Sequence, residues 1–471
     1  MHRMVQGVLL GSLLLAGLSY LSAQEESAPL VIKGGTLIDG TGREPLKNAT
    51  ILVEGGKIGA IGGSEVKVPT DAKVIDASGK FIIPGLIDSR VRIGPTPGNH
   101  VSRDEVSIDQ RLESLRALLG AGVTTARLIQ GDFTAQKLYQ RWWKEDLLVS
   151  PEIVTAGPVF TAKGGRPIGE YSPLAWEARD RETRQIGDED EARAKARELT
   201  HADLNSVEIE YDKGPRTDAK PRLEKSLLEI LIAEGHGFDL PVFSEVGSDQ
   251  EAADAVAAGT NAIEGVWDEP LSDTTLAAMA KKQAFFVPSL VQQGDLLNLL
   301  DAQALRAYLE EAIVQRSLSS VMKESLANGL GLIEQVRKSL RSDEGQVVRR
   351  QLEEQQKRAF ENVRRAQAAG VRIVAGTGSG SLLVFPGAAM HRELQLLVKA
   401  GLTPMEAIVA ATRNTAMALG RSDELGAIEV GRKADLVILD ADPLVDIQNT
   451  EKIHEVIQNG RQVPDQDLQL H

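Results

Sequence analysis

The run Phe81-Ile82-Ile83-Pro84-Gly85-Leu86-Ile87-Asp88-Ser89-Arg90-Val91-Arg92 constrains this chain more than any other stretch. It is an apolar segment, a Pro-Gly break, and a second apolar segment with polar residues at its far end. Such a pattern predicts a strand buried on both faces, preceded by a sharp break. The chain around it must therefore supply enough apolar surface to cover that strand. With 471 residues, 42% of them hydrophobic, there is material for a large core and a second unit besides.

The net charge of −14 argues against nucleic acid and anionic membranes as partners. No cysteine is present, which removes disulfides, thiolate metal sites, cysteine nucleophiles and a lipoprotein anchor together. The seven histidines are scattered, and none forms a His-x-His pair. At the N-terminus, His2 and Arg3 precede the apolar run Val8–Leu18, and Ala23 precedes an acidic stretch. This is the pattern of a signal peptide over residues 1–23, and the run is short for a bilayer span. The expectation is an exported protein, periplasmic or secreted, with no membrane attachment after cleavage.

From Leu30 to about Ala77, short β-rich runs alternate with Gly and Asn turns. Similar strands return at Asp435–Asp440 and Ile453–Arg461. Between them, strands alternate with helical patterns, which indicates βα units. The expected strands are Ile82–Asp88, Ala121–Arg127, Ile153–Pro158, Ser206–Ile209, Leu240–Ser244, Ala262–Gly265, Phe285–Pro288 and Val371–Gly376. Eight such strands predict a parallel (β/α)8 TIM barrel, an α/β fold with its ligand site at the C-terminal strand ends. The charged segment Leu296–Ala369 reads as helical, either a lid or partner-binding element or a solvated excursion before the last strand.

In order and spacing, several segments resemble the amidohydrolase superfamily, imidazolonepropionase-like and prolidase-like branch. They are the Phe81–Arg92 run, Gly370–Thr377, Met390–Leu394, Ala400–Ile408 and Gly426–Val437, and the resemblance covers nearly the whole mature chain. It implies a barrel over residues 81–425 and a composite β-sandwich built from residues 24–80 and 426–471. It also implies a metal-dependent hydrolase of carbon–nitrogen bonds, in which Asp-x-His-x-His on the first barrel strand binds the ion.

Here those two histidine positions hold Arg90 and Arg92. The bridging position on strand four falls on Glu208; strand five gives Ser244 beside Glu245; strand six reads Ile263-Glu264-Gly265; strand eight reads Gly376-Thr377-Gly378. Two guanidiniums repel a divalent cation. No metal ligand set is therefore expected, and the family's zinc is not expected either. Arg90 and Arg92 have two readings. They replace the ion's charge by pairing with Glu208, Glu245 or Glu264, or they form an anion site with Ser244, Gly378 and His391. His100 in the first βα loop is a further residue within reach of the mouth.

Three functions follow as expectations. The first is a non-catalytic pseudoenzyme that binds an anionic small molecule, a peptide or an active paralogue, with homo-oligomerisation open. The second is a hydrolase with Glu208, Glu245 and Glu264 as acid–base candidates and no metal. The third is a barrel whose mouth is simply closed by salt bridges.

Overall fold

The computed structural model describes residues 28–93, 108–168, 180–200, 204–214, 219–266, 269–292, 301–339, 341–381 and 383–470. Residues 1–23, expected to form a signal peptide, and His100 lie outside these residues. Among them, no helix is long and apolar enough to cross a membrane.

Gly85 divides the Phe81–Arg92 run between two sheets. Strand β5 (Phe81–Pro84) pairs antiparallel with β15 (Leu436–Leu439) and parallel with β1 (Leu30–Leu37). Strand β6 (Leu86–Val91) instead opens the barrel. The single strand expected over Ile82–Asp88 is thus two strands with different partners. Proline at the end of β5 supplies no amide hydrogen, and Gly85 donates its own to the Asp435 carbonyl at 2.8 Å. A Cβ on Gly85 would collide with the Thr124 side chain. Gly85→Ala is therefore expected to cost about 1–3 kcal/mol through overpacking, read as a lower urea midpoint.

The terminal β unit joins both ends of the chain. Besides β1, β5 and β15 it contains β2 (Leu46–Glu54), β3 (Lys57–Gly62), β4 (Lys73–Asp76), β16 (Ile453–Gln458) and β17 (Arg461–Gln462). They hydrogen-bond in the order β17-β16-β15-β5-β1-β2-β3, with β4 also on β1. The strands form one continuous hydrogen-bonded sheet that folds round its own core. Ile32, Ile51, Ile82, Ile438 and Ile457 meet in that core. The bend is closed where Ile58 exchanges backbone bonds with Gly431 and Arg432.

The barrel strands are parallel: β6, β7 (Val123–Leu128), β8 (Glu152–Thr155), β11 (Val207–Glu210), β12 (Val242–Val246), β13 (Ala262–Gly265) and β14 (Phe285–Val287). An extra pair, β9 (Val159–Ala162) and β10 (Thr183–Ile186), is attached to β11 through β9. The eighth position is a segment bridged to its neighbours at Phe286–Ile373 and Val91–Ser379. Asp88 does what a ladder does elsewhere: its carboxylate accepts the Thr377 amide at 3.0 Å and the Thr377 hydroxyl at 2.6 Å. The floor of the barrel is apolar, with Ile87, Val154, Phe243, Val287 and Val374 packed against Ala416 and Leu419. The segment expected to be helical forms helices Ala302–Glu310, Ala312–Arg316, Ser320–Ser339 and Asp343–Ala368.

Candidate functional site

Successive strand residues face opposite sides, so the barrel interior receives every second side chain. Directly above the apolar floor it receives five charged ones: Arg90 from β6, Arg127 from β7, Glu208 from β11, Glu245 from β12 and Glu264 from β13. Four of them have no exposed surface, and Glu245 is 4% exposed.

The five form one chain of ion pairs. Arg90 reaches Glu264 through Nε at 2.9 Å and Glu245 through Nη2 at 2.5 Å. The second contact is close but off the line of a hydrogen bond, since Nη2 and the Glu245 Oε2 it faces have no hydrogen-bond partner. Arg127 reaches Glu264 through Nη1 at 3.0 Å and pairs with Glu208 through Nη2. Its Nε donates to the Ser206 hydroxyl and Nη1 to the Ser89 carbonyl. The same guanidinium lies 3.8 Å from the centre of the Phe243 ring. Arg127 thereby ties four barrel strands to the top of the apolar floor.

Burial and charge compete differently at each acid. At Glu208, burial outweighs the Arg127 charge and pushes the carboxyl up to about 8. Its Oε1 has no hydrogen-bond partner among the described residues. At Glu245, burial acts in the same direction, but Arg90, Arg92 and Arg166 outweigh it and hold the carboxyl at about 2. Burial also raises Asp88 to about 6, against the bonds from Thr377.

The mouth above this layer is closed at the strand-eight end. Gln292 accepts a hydrogen bond from Arg90 Nη1 and donates to the Ser381 hydroxyl at 3.0 Å. Gly378 has φ +62°, donates its amide to the Arg90 carbonyl at 2.6 Å, and packs so closely on Gln292 that a Cβ would strike the carboxamide. Gln292 thus fills the space that a side chain at position 378 would take. Arg92 stands apart and half-buried, bonded to Gln130 at 2.7 Å and Ser381 at 3.3 Å.

Two expected ligand residues are turned elsewhere. Ser244 belongs to the opposite face of β12 from Glu245, and its hydroxyl meets Thr260 at 3.0 Å in the helix layer. His391 is buried on the helix Ala388–Lys399, its Nδ1 3.0 Å from the Thr450 hydroxyl and its Nε2 3.0 Å from the Ala121 carbonyl. Burial pushes that imidazole down to about 4. Its motif partner Glu393 accepts the amides of Leu290 at 3.0 Å and Val291 at 2.8 Å. The motif therefore anchors backbone behind the barrel. Arg127 and Gln292 were not expected in the site, although Arg127 shares its parity on β7 with the inward Thr125.

The chain matches the Amidohydrolase family over residues 81–463. It belongs to that family. It is 25% identical to an imidazolonepropionase of Streptococcus sanguinis over 436 residues, covering 89% of this chain and 91% of the relative. It is 24% identical to an ochratoxinase of Aspergillus niger over 463 residues, covering 91% and 84%. Among solved structures it superposes on a Xaa-Pro dipeptidase with bound methionine at a TM-score of 0.72 and 19% identity, covering 93% of this chain and all of that one.

A metal ion is the chemistry the family resemblance implies, and the barrel can be tested for it. Carboxylate oxygens of Glu208, Glu245 and Glu264 lie within 4.8 Å of one another, near enough to share an ion. Each of these carboxylates already contacts a guanidinium, and the guanidiniums lie where a cation would have to sit. The residues present do not fit a divalent metal.

Proposed function

We propose that this amidohydrolase-family chain is an exported, metal-free pseudoenzyme, a barrel that binds an anionic small molecule, a peptide or a partner chain without hydrolysing it. The observation that carries the reading is the Glu208–Arg127–Glu264–Arg90–Glu245 chain, in which two fixed cations take the place of an ion. Export rests on the basic start, apolar run and Ala23 at the N-terminus.

A second reading keeps hydrolysis of carbon–nitrogen bonds by an altered, metal-independent site. What favours it is Glu208, a buried carboxyl held protonated near neutrality, which is the condition of a general acid. The Gln292 contact that closes the mouth weighs against access to it.

Metal content decides between the first reading and its opposite. After exposure to zinc and removal of the excess, elemental mass spectrometry should find less than about a tenth of an equivalent. A stoichiometric ion that disappears in Glu208→Ala would overturn the metal-free reading.

A further inference from the structure

Beside the charged barrel interior is a second polar recess. It lies beyond the C-terminal ends of β6 and β7, the face on which barrels carry their ligands. Its volume is about 70 Å³, on a measure by which one water needs about 10–15 Å³, so it holds about half a dozen non-hydrogen atoms.

Arg92 and Arg111 both line this recess. Arg111 comes from the helix Ile108–Gly120, and its Nε is buried with no hydrogen-bond partner among the described residues. A buried donor left without an acceptor is destabilising, so such groups normally face a ligand or water. Tyr139 contacts the same guanidinium and contributes a phenol to the lining. Ile93, Ile129 and Ala135 make part of the wall apolar. Two carboxylates line it too, Asp132 and Glu182. Asp132 is committed to the amides of Thr134 and Ala135, at 2.9 and 3.3 Å, and to Arg181. With Asp132 offset by Arg181, the two guanidiniums face one further carboxylate, Glu182, a balance that suits one added negative charge better than two.

We infer that this recess binds a monocarboxylate with a short apolar chain. The carboxylate accepts from Arg111 Nε, and the chain lies against Ile93, Ile129 and Ala135. The inference rests on the reading of the chain as a binding protein and adds where the ligand sits and of what class it is.

The test is calorimetric titration of the full mature chain with butyrate, with inorganic phosphate as a competing arm. Saturable binding with Kd on the order of 1 mM or tighter is expected. Arg111→Met should weaken it by about tenfold or more, and Arg111→Lys, which keeps the charge and loses the fork, by less. Arg141→Met, at an exposed position on the next helix, should leave it unchanged. Failure to saturate by about 50 mM, well above that Kd, or equal binding by Arg111→Met, overturns the assignment. Phosphate displacing butyrate at equal concentration overturns the monocarboxylate class. Thermal melting of each variant shows whether it is folded; if Arg111→Met is not, the Arg111→Lys and phosphate arms decide. Stoichiometric zinc with butyrate binding intact would overturn the metal-free reading alone, whereas zinc-free protein that ignores butyrate would overturn the recess alone.

Discussion

Arg127→Met is expected to lower the free energy of unfolding by about 3–5 kcal/mol, the range found when one partner of a buried ion pair is removed. The charge arithmetic gives the reason. With Glu208 protonated, the layer holds two guanidiniums and two carboxylates, Glu245 and Glu264, and is neutral. Removing Arg127 leaves one guanidinium against two carboxylates on top of an apolar floor. Adding Glu264→Gln restores one against one, so Arg127→Met/Glu264→Gln should recover a large part of the loss although it carries more substitutions. Arg141→Met, at a side chain 72% exposed, should change stability by no more than about 0.5 kcal/mol. Denaturant unfolding of the four proteins checks this. Arg127→Met within about 1 kcal/mol of the parent, or a double variant less stable than the single, would show that the layer is not balanced as described.

The network also bears on why the barrel keeps charge in its interior at all. Replacing a whole buried ion-pair set by apolar residues is often neutral or stabilising, so stability does not explain its retention. Glu208, Glu245 and Glu264 bring carboxylates inward from three strands, and without counter-charges they would stand unpaired. Arg90 and Arg127 neutralise them from the first two strands, and Gln292 fills the remaining space. On this account the charges in the mouth neutralise one another, and the ligand site proposed above would lie in the neighbouring recess, where Arg111 Nε has no hydrogen-bond partner among the described residues.

Much of this was legible in the sequence, and the rest was lost for identifiable reasons. The Pro-Gly break in Phe81–Arg92 announced a change of direction, though not that the two halves join different sheets, because partner choice is not a local property. The inward positions Arg90, Glu208 and Glu264 were readable from the resemblance, which places ligand positions on those strands. Ser244 was not, since a shift of one residue exchanges the faces of a strand, and it is Glu245 that points inward. Arg127 was visible as a strand end, yet an arginine there resembles a solvated terminus. Gln292 follows β14 in a stretch without periodicity and carries no charge to attract notice. His391 meets Ala121 and Thr450, which are 270 and 59 residues away, so no pattern near it reveals a structural role.

Glu208→Gln is expected to abolish most of a stability loss that the parent suffers as pH rises from about 5 to 9. The folded carboxyl titrates near 8, above its ordinary value of 4.5. A raised acid contributes stability that is complete below the unfolded pKa and disappears as pH climbs through the folded one. Burial is the cause, so ionisation would place one uncompensated negative charge beside Glu264 in the low-dielectric interior. Asp88, raised to about 6, adds a smaller loss with the same sign, centred lower. On the acid side the signs reverse. Glu245, held near 2, loses its contribution as pH falls from 4.5 towards 2, and His391, held near 4, loses its own between about 6.5 and 4. Stability of the parent should therefore peak on the mildly acidic side of neutrality. In Glu208→Gln the amide mimics the protonated acid, so the variant should match the parent near pH 4.5, diverge from it as pH rises towards 8, and exceed it at pH 9 by an amount on the order of a few kcal/mol. Denaturant midpoints across that range read the difference directly. Parallel pH profiles for the two proteins would mean that Glu208 is not the group responsible for the loss, and the charge balance given for the layer would fall with it.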